Sequence, residues 1–442
     1  MLGIIIKTAT MRTILLLFTV VLLFGCNSNK NNIEVSENDW NQAINAFSEL
    51  KEVLEKENGQ TWNYSLEGPI MLVNRDTRTI IANEKDDAGF LKKRGTLYVG
   101  ILPENINIAN TASDWNGKQW TMVALPLPKT KEKRLSLLIH ESFHRIQPLI
   151  GFDSLFEIQS VHLDSKEGRI YLKLELEALK KALSSDEPEY HIKNALLFRQ
   201  YRYQLFPEAS KAENSLEILE GLAEYTGSIL SQRNNLDLQN HYISRIDWFY
   251  TLPTFVRSFA YFTIPVYGYY MQQKDKKWNL KVNKNTNLSD FISEYFGVDS
   301  KDLNKEKIKQ IGSIYGIDSI IEIESQREFR KQEQIDKYKA IFLGDSIVSI
   351  GLENMHIGFD PSNIMPLDSF GTVYPNLRIT DNWGILEVDS CGALLSPEWN
   401  KVTISYPEFI SDTLVSGKGW KLRLNNSWKL DRMDGQFKLT KK

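Results

Sequence analysis

Cysteine is almost missing from this chain: two in 442 residues, Cys26 and Cys391. That count excludes a disulfide framework and a multi-cysteine zinc cluster, so any metal site has to be built from His, Asp or Glu. An excess of charge of one sign is missing too. Lys and Arg number 53 against 56 Asp and Glu, a formal charge of −3, and no block of like charge is long enough to form a nucleic-acid arm. Nucleic acid is therefore not an expected partner. There is no internal repeat and no low-complexity tract. At 42% hydrophobic and 25% charged, the chain is neither disordered nor collagen-like, and its length predicts two or three structural units.

Residues 11–26 read MRTILLLFTVVLLFGC: one Arg, an apolar run from Ile14 to Phe24, then Gly25 and Cys26. This is the layout of a secretory signal, and the run is shorter than the roughly 20 residues that span a bilayer as a helix. Met11 is the better start, because residues 1–10 add an apolar patch that a signal peptide does not need. Leu23-Phe24-Gly25-Cys26 resembles the lipobox of bacterial lipoproteins. The resemblance implies cleavage before Cys26, a lipid on that cysteine and an exported, membrane-anchored protein. Asn27 in place of Asp favours the outer membrane. Removing the signal takes Lys7 and Arg12 with it and leaves a mature charge of −5. Asn27–Asn32 (NSNKNN) starts a polar tether expected over 27–38, and Cys391 is expected to be a core residue without a partner.

From Trp40 to Lys56 apolar residues recur three or four apart, which predicts an amphipathic helix. Extended stretches follow at Ile70–Val73, Thr79–Ala82, Thr96–Ile101 and Trp120–Leu125, separated by turn residues. Pro126 and Pro128 end the last strand, Thr130 is a plausible N-cap, and a helix is expected from about 131 to 147. Helical periodicity returns at 169–184, 189–206 and 213–231. Asp247–Met271 is aromatic and apolar with Pro253 and Pro265, and 288–340 reads as shorter helices ending in the charged run SQREFRKQEQIDKYK, a solvated face. From Ile341 the texture turns to short β-rich pieces, with Asp434-Gly435 as a hairpin turn, and fits a β-sandwich.

Residues 140–144 are His-Glu-Ser-Phe-His in the setting RLSLLIHESFHRIQ. Two histidines four apart on a helix project from one face and can bind a single zinc ion, while Glu141 lies where it can take a proton from metal-activated water. Chance yields about 0.006 matches to H-E-x-x-H in a chain of this composition. A catalytic zinc needs a third protein ligand and an open fourth position. The extended metzincin pattern is excluded, since Gln147 stands where that pattern has glycine and Ile150 where it has a third histidine. Downstream, LEILEGLAEY holds Glu220, with Glu217, Glu224, Asp164 and Glu175 as the other carboxylates to consider.

Glu220-Gly221-Leu222-Ala223-Glu224-Tyr225 resembles the second motif of the gluzincin metallopeptidases, in which a glutamate followed by Gly-x-Ala is the third zinc ligand. The resemblance implies an α+β, zincin-like metallopeptidase domain over 39–335: a small sheet, the motif helices and a helical insertion over 145–219, followed by an all-β sandwich-like domain over 341–442. It implies zinc on His140, His144 and Glu220, Glu141 as general base, Glu224 orienting a histidine, and a peptide or protein substrate paired with an edge strand, expected to be Trp120–Leu125. For the oxyanion donor the candidates are Arg257, Tyr261 and Tyr267, with Arg257 and Tyr261 on one helix face. His162, His191, His241 and His356 lack metal-ligand spacing. The rival reading is a non-catalytic surface lipoprotein that binds glycan or protein through Trp383, Trp399, Trp420 and Trp428, residues that equally suit the core of a sandwich.

Overall fold

The computed structural model describes residues 33–104, 106–299, 303–344, 346–359, 364–433 and 436–442. The signal segment with Cys26, most of the tether and the Asp434-Gly435 turn lie outside the described residues. The fold is mixed α and β, with three sheets and a C-terminal region made mostly of strands. Two compact units divide it: one ends at Ile150 and takes in Leu230–Gln232, and the other holds Gly151–Ile229 and Arg233–Lys442.

The first unit opens with helix α1, Glu37–Glu57, capped by Ser36, whose hydroxyl accepts from the Asp39 N–H at 3.0 Å. Its buried residues Ala43, Ala46, Leu50, Val53 and Leu54 form the stripe that the periodicity predicts. Strands β1 (Ile70–Asn74), β2 (Thr79–Ala82), β3 (Lys92–Arg94), β4 (Leu97–Ile101), β5 (Thr111–Trp115) and β6 (Lys118–Leu125) make one sheet in the order β3-β4-β2-β1-β6-β5. Strand β6 pairs in parallel with β1 and antiparallel with β5. Trp120–Leu125 is therefore interior, and the edge on that side is β5. The sequence TASDW lacks the apolar alternation that marks a strand, which is why it does not stand out. Helix α2, Lys131–Ile146, follows the two prolines, with the Thr130 hydroxyl accepting from the Lys133 N–H.

The second unit runs through α3 (Lys166–Ser184), α4 (Pro188–Leu205), α5 (Ala209–Leu216), a π-turn at Glu217–Gly221, α6 (Leu222–Ile229), α7 (Asn235–Phe249), α8 (Ala260–Lys274), α9 (Leu288–Phe296), α10 (Lys305–Gly312) and α11 (Ile317–Phe342). Helix α11 absorbs the charged run in a single helix of 26 residues. Its Glu324 is buried against Arg169 and Lys173 of α3, and its last turn sets Tyr338 and Phe342 among Leu367, Val373 and Leu394. Beyond it a seven-stranded and a six-stranded sheet share one core, which includes Val348, Ile404, Ile379, Leu386 and Leu422. Trp383, Trp420 and Trp428 belong to that core, while Trp399 is 41% exposed. The four tryptophans form no common platform. Among the described residues no helix is long and apolar enough to cross a membrane.

Candidate metal centre

Helix α2 is anchored on the side away from its histidines. Leu135, Leu138, Ile139, Phe143 and Ile146 are fully buried. Arg145 donates to the carbonyls of Leu66 (2.8 Å) and Glu67 (2.9 Å) and to the Thr121 hydroxyl of β6 (3.3 Å). A Cβ on Gly68 would lie 2.4 Å from the Arg145 guanidinium, so a side chain there would displace the clamp from this position. Burial pulls the Arg145 pKa below its ordinary value. Leu66, Arg145 and Thr121 thus tie the last turn of α2 to a loop and to the sheet.

With the helix held this way, the imidazoles of His140 and His144 converge. Their Nε2 atoms lie 3.1 Å apart and their rings stand at 71°. One ligand atom from each of His140, Glu141 and His144 falls within 4.8 Å of the others, and among the described residues this is the group of His, Cys, Asp and Glu that is shaped for a metal ion. Tetrahedral zinc with nitrogens at about 2.05 Å would set the two nitrogens about 3.3 Å apart, close to the observed gap. His140 and Glu141 are each 6% exposed. His144 Nδ1 lies 3.1 Å from Gln147 Oε1. A carbonyl oxygen only accepts, so the proton sits on Nδ1 and Nε2 presents its lone pair inward. Gln147 is a site residue that the sequence reading passes over. Its signal is a polar side chain three residues after the second histidine, at the C-cap of α2.

The second motif lies in the other unit. Helix α5 does not run regularly into α6: the Leu222 N–H bonds the Glu217 carbonyl five residues back, giving a π-turn over Glu217–Gly221. Glu220, half-buried in that turn, accepts from the Tyr261 hydroxyl at 2.5 Å. Gly221 permits the close approach of α8, since a Cβ there would lie 2.8 Å from Ile264 Cβ. Glu224, one turn on, is 3.4 Å from Arg245.

The alternative carboxylates are occupied within this unit. Glu217 takes both Arg199 amino groups, at 2.7 and 3.0 Å, and the Thr263 hydroxyl at 2.6 Å. Glu175 pairs with Arg199 and Arg202, each at 2.8 Å. Asp164 accepts from Thr254 at 2.9 Å. Of the oxyanion candidates, Tyr267 is fully buried and donates to Glu175 at 2.9 Å, and burial drives its pKa well above the ordinary range. Arg257 precedes α8 rather than sharing a helix face with Tyr261; it is exposed and held by Glu157 at 2.7 Å. His162 and His191 are hydrogen-bonded structural residues, to Glu213 and to the Tyr315 hydroxyl, each at 2.7 Å. Scans against family models, curated proteins and solved structures return no match for this chain.

Proposed function

We propose that the chain is a zinc-dependent peptidase of gluzincin type, carried as a lipoprotein on an exported, Cys26-linked anchor at the outer membrane. The observation that supports this reading most directly is the His140–Glu141–His144 group, with His140 and Glu141 buried, His144 partly buried and two Nε2 atoms 3.1 Å apart. Its two imidazoles suit zinc, and the carboxylate of Glu141 beside them is left for the proton transfer. His140, His144 and Glu220 would hold the ion. When bound, zinc supplies a Lewis acid and lowers the pKa of its water toward about 7.

The chain's own residues do the rest. Glu141 accepts the proton of the attacking water and returns it to the leaving amine, which needs a carboxylate beside the reacting atoms and not one spent on coordination. Gln147 fixes the His144 tautomer, and Glu224 is assigned to orient a histidine. Tyr261 donates to Glu220 and so orients that carboxylate; serving the oxyanion instead would require it to leave that bond. An extended peptide substrate fits beside β5, the sheet edge nearest the strand that leads into α2.

The test is Glu141→Gln assayed on a quenched-fluorescence peptide library. Zinc content should stay at the wild-type level while hydrolysis falls by at least about 10²-fold, the usual worth of a general base. Full activity in that variant would rule out this mechanism.

A further inference from the structure

Behind the π-turn lies a set of charges that the chemistry above does not use. Glu175 of α3, Arg199 and Arg202 of α4, Glu213 of α5 and Glu217 all have side chains at most 1% exposed. Arg202 meets Glu213 at 2.6 Å, and Glu213 also takes the Tyr203 hydroxyl at 3.0 Å and His162 at 2.7 Å. Exchanging such a network for apolar residues is often neutral or stabilising, so stability is a weak reason for having it. Its contacts fix where the residues of the π-turn lie.

In an unbroken α-helix Glu213, Glu217, Glu220 and Glu224 would fall on one face, spaced four, seven and eleven residues from the first. Burying the first two would then draw the last two toward the same interior. The π-turn adds one residue to the ring and rotates everything after it by about 100°. The outcome is visible in burial: Glu213 and Glu217 are enclosed, while Glu220 and Glu224 are partly open and Glu220 meets Tyr261. A π-turn is less favourable than α-helix and persists where side chains hold it. Glu217 opens this one, and it is gripped from two helices, by both amino groups of Arg199 on α4 and by Thr263 on α8.

We propose that Glu217 is a positioning residue for Glu220: clamped by Arg199 and Thr263, it holds the π-turn in the register that presents the Glu220 carboxylate to a metal ion. This rests on the reading of Glu220 as a ligand. Releasing the clamp lets the helix relax toward α register and turns the Glu220 carboxylate by about 100° toward the interior that holds Glu213 and Glu217, with no ligand removed.

Thr263→Val is the cleanest test, because it keeps the shape and deletes only the hydroxyl that bonds Glu217. Zinc affinity of the purified protein, measured by chelator competition, should fall about 10- to 100-fold, the usual effect of losing a ligand's supporting contact. The visible spectrum of the cobalt-substituted protein should change, and Thr263→Ser should restore both. Glu217→Gln, equal in shape, should give the same spectral change with helix content kept, which covers a Thr263→Val that fails to fold. Unchanged affinity and spectrum in these variants, beside loss of zinc in Glu220→Ala, would overturn the positioning role while leaving the ligand reading intact. Zinc retained in Glu220→Ala would overturn both.

Discussion

Gln147 decides which nitrogen of His144 faces the centre, and it does so with one acceptor at 3.1 Å. Replacing it with Ala frees the imidazole to rotate and to change tautomer. Zinc affinity by chelator competition should then drop about 10- to 100-fold with the fold unchanged; wild-type affinity would mean that the tautomer is set by another contact. His140, Glu141 and His144 were readable from the sequence because their meaning lies in local spacing on one helix. Gln147 belongs to the same local spacing, three residues beyond His144, whereas the contact of Tyr261 has no local signal, since it sits 41 residues from the carboxylate that it meets. Arg257 and Tyr261 do not share a helix face, because a four-residue spacing does that only if both residues are helical, and α8 starts at Ala260.

Among the elements, α1, α2, α3 and α4 were legible because their apolar residues repeat at helical spacing and their ends carry caps or prolines. The π-turn was not, because period counting assumes a constant 3.6 residues per turn and a single inserted residue leaves no compositional mark. Strands β3 and β5 carry no strand signal in the sequence because KKR and TASDW hold almost no apolar residues. The contact between α3 and α11 rests on a buried ion pair. Burial pushes the Glu324 carboxyl up, but the Lys173 hydrogen bond and the nearby Arg169 charge outweigh it and hold the pKa below the ordinary range. A depressed carboxyl contributes stability that is present above its unfolded pKa and lost as the pH falls through the folded value. Glu324→Gln should therefore cost about 3–5 kcal/mol at neutral pH, as expected when a buried pair loses one partner. In urea unfolding, the gap between mutant and wild type should narrow progressively as the buffer is acidified below the ordinary carboxyl pKa. A gap independent of pH would remove the ion pair as its cause.

On the scale of the whole molecule, the change to a β-rich C-terminal region near residue 341 could be read from composition and turn spacing. Strand order could not. Nothing local in Trp120–Leu125 says that β1 flanks it on one side and β5 on the other, because pairing partners are chosen by the packing of the entire sheet. Nor does sequence say which charges are buried: Glu175, Arg199 and Arg202 look like ordinary helix-surface residues until three helices close around them. The tryptophans divide in the same way. Trp420→Ala empties a core position and should cost about 3–5 kcal/mol, whereas Trp399→Ala, at an exposed site, should cost far less in the same unfolding experiment. Equal losses would show that Trp399 is packed as part of the core. If glycan pull-down with the whole protein depended on Trp399 while peptide hydrolysis was absent, the rival binding reading would gain.

Whether His140, His144 and Glu220 hold a zinc ion is decided by elemental analysis of the purified protein. The wild type should carry about one zinc per chain, with His144→Ala and Glu220→Ala losing most of it and Glu141→Gln keeping it. A wild type that holds no zinc even after zinc is supplied, or a Glu220→Ala variant that holds as much as the wild type, would contradict the three-ligand site on which the proposed chemistry depends.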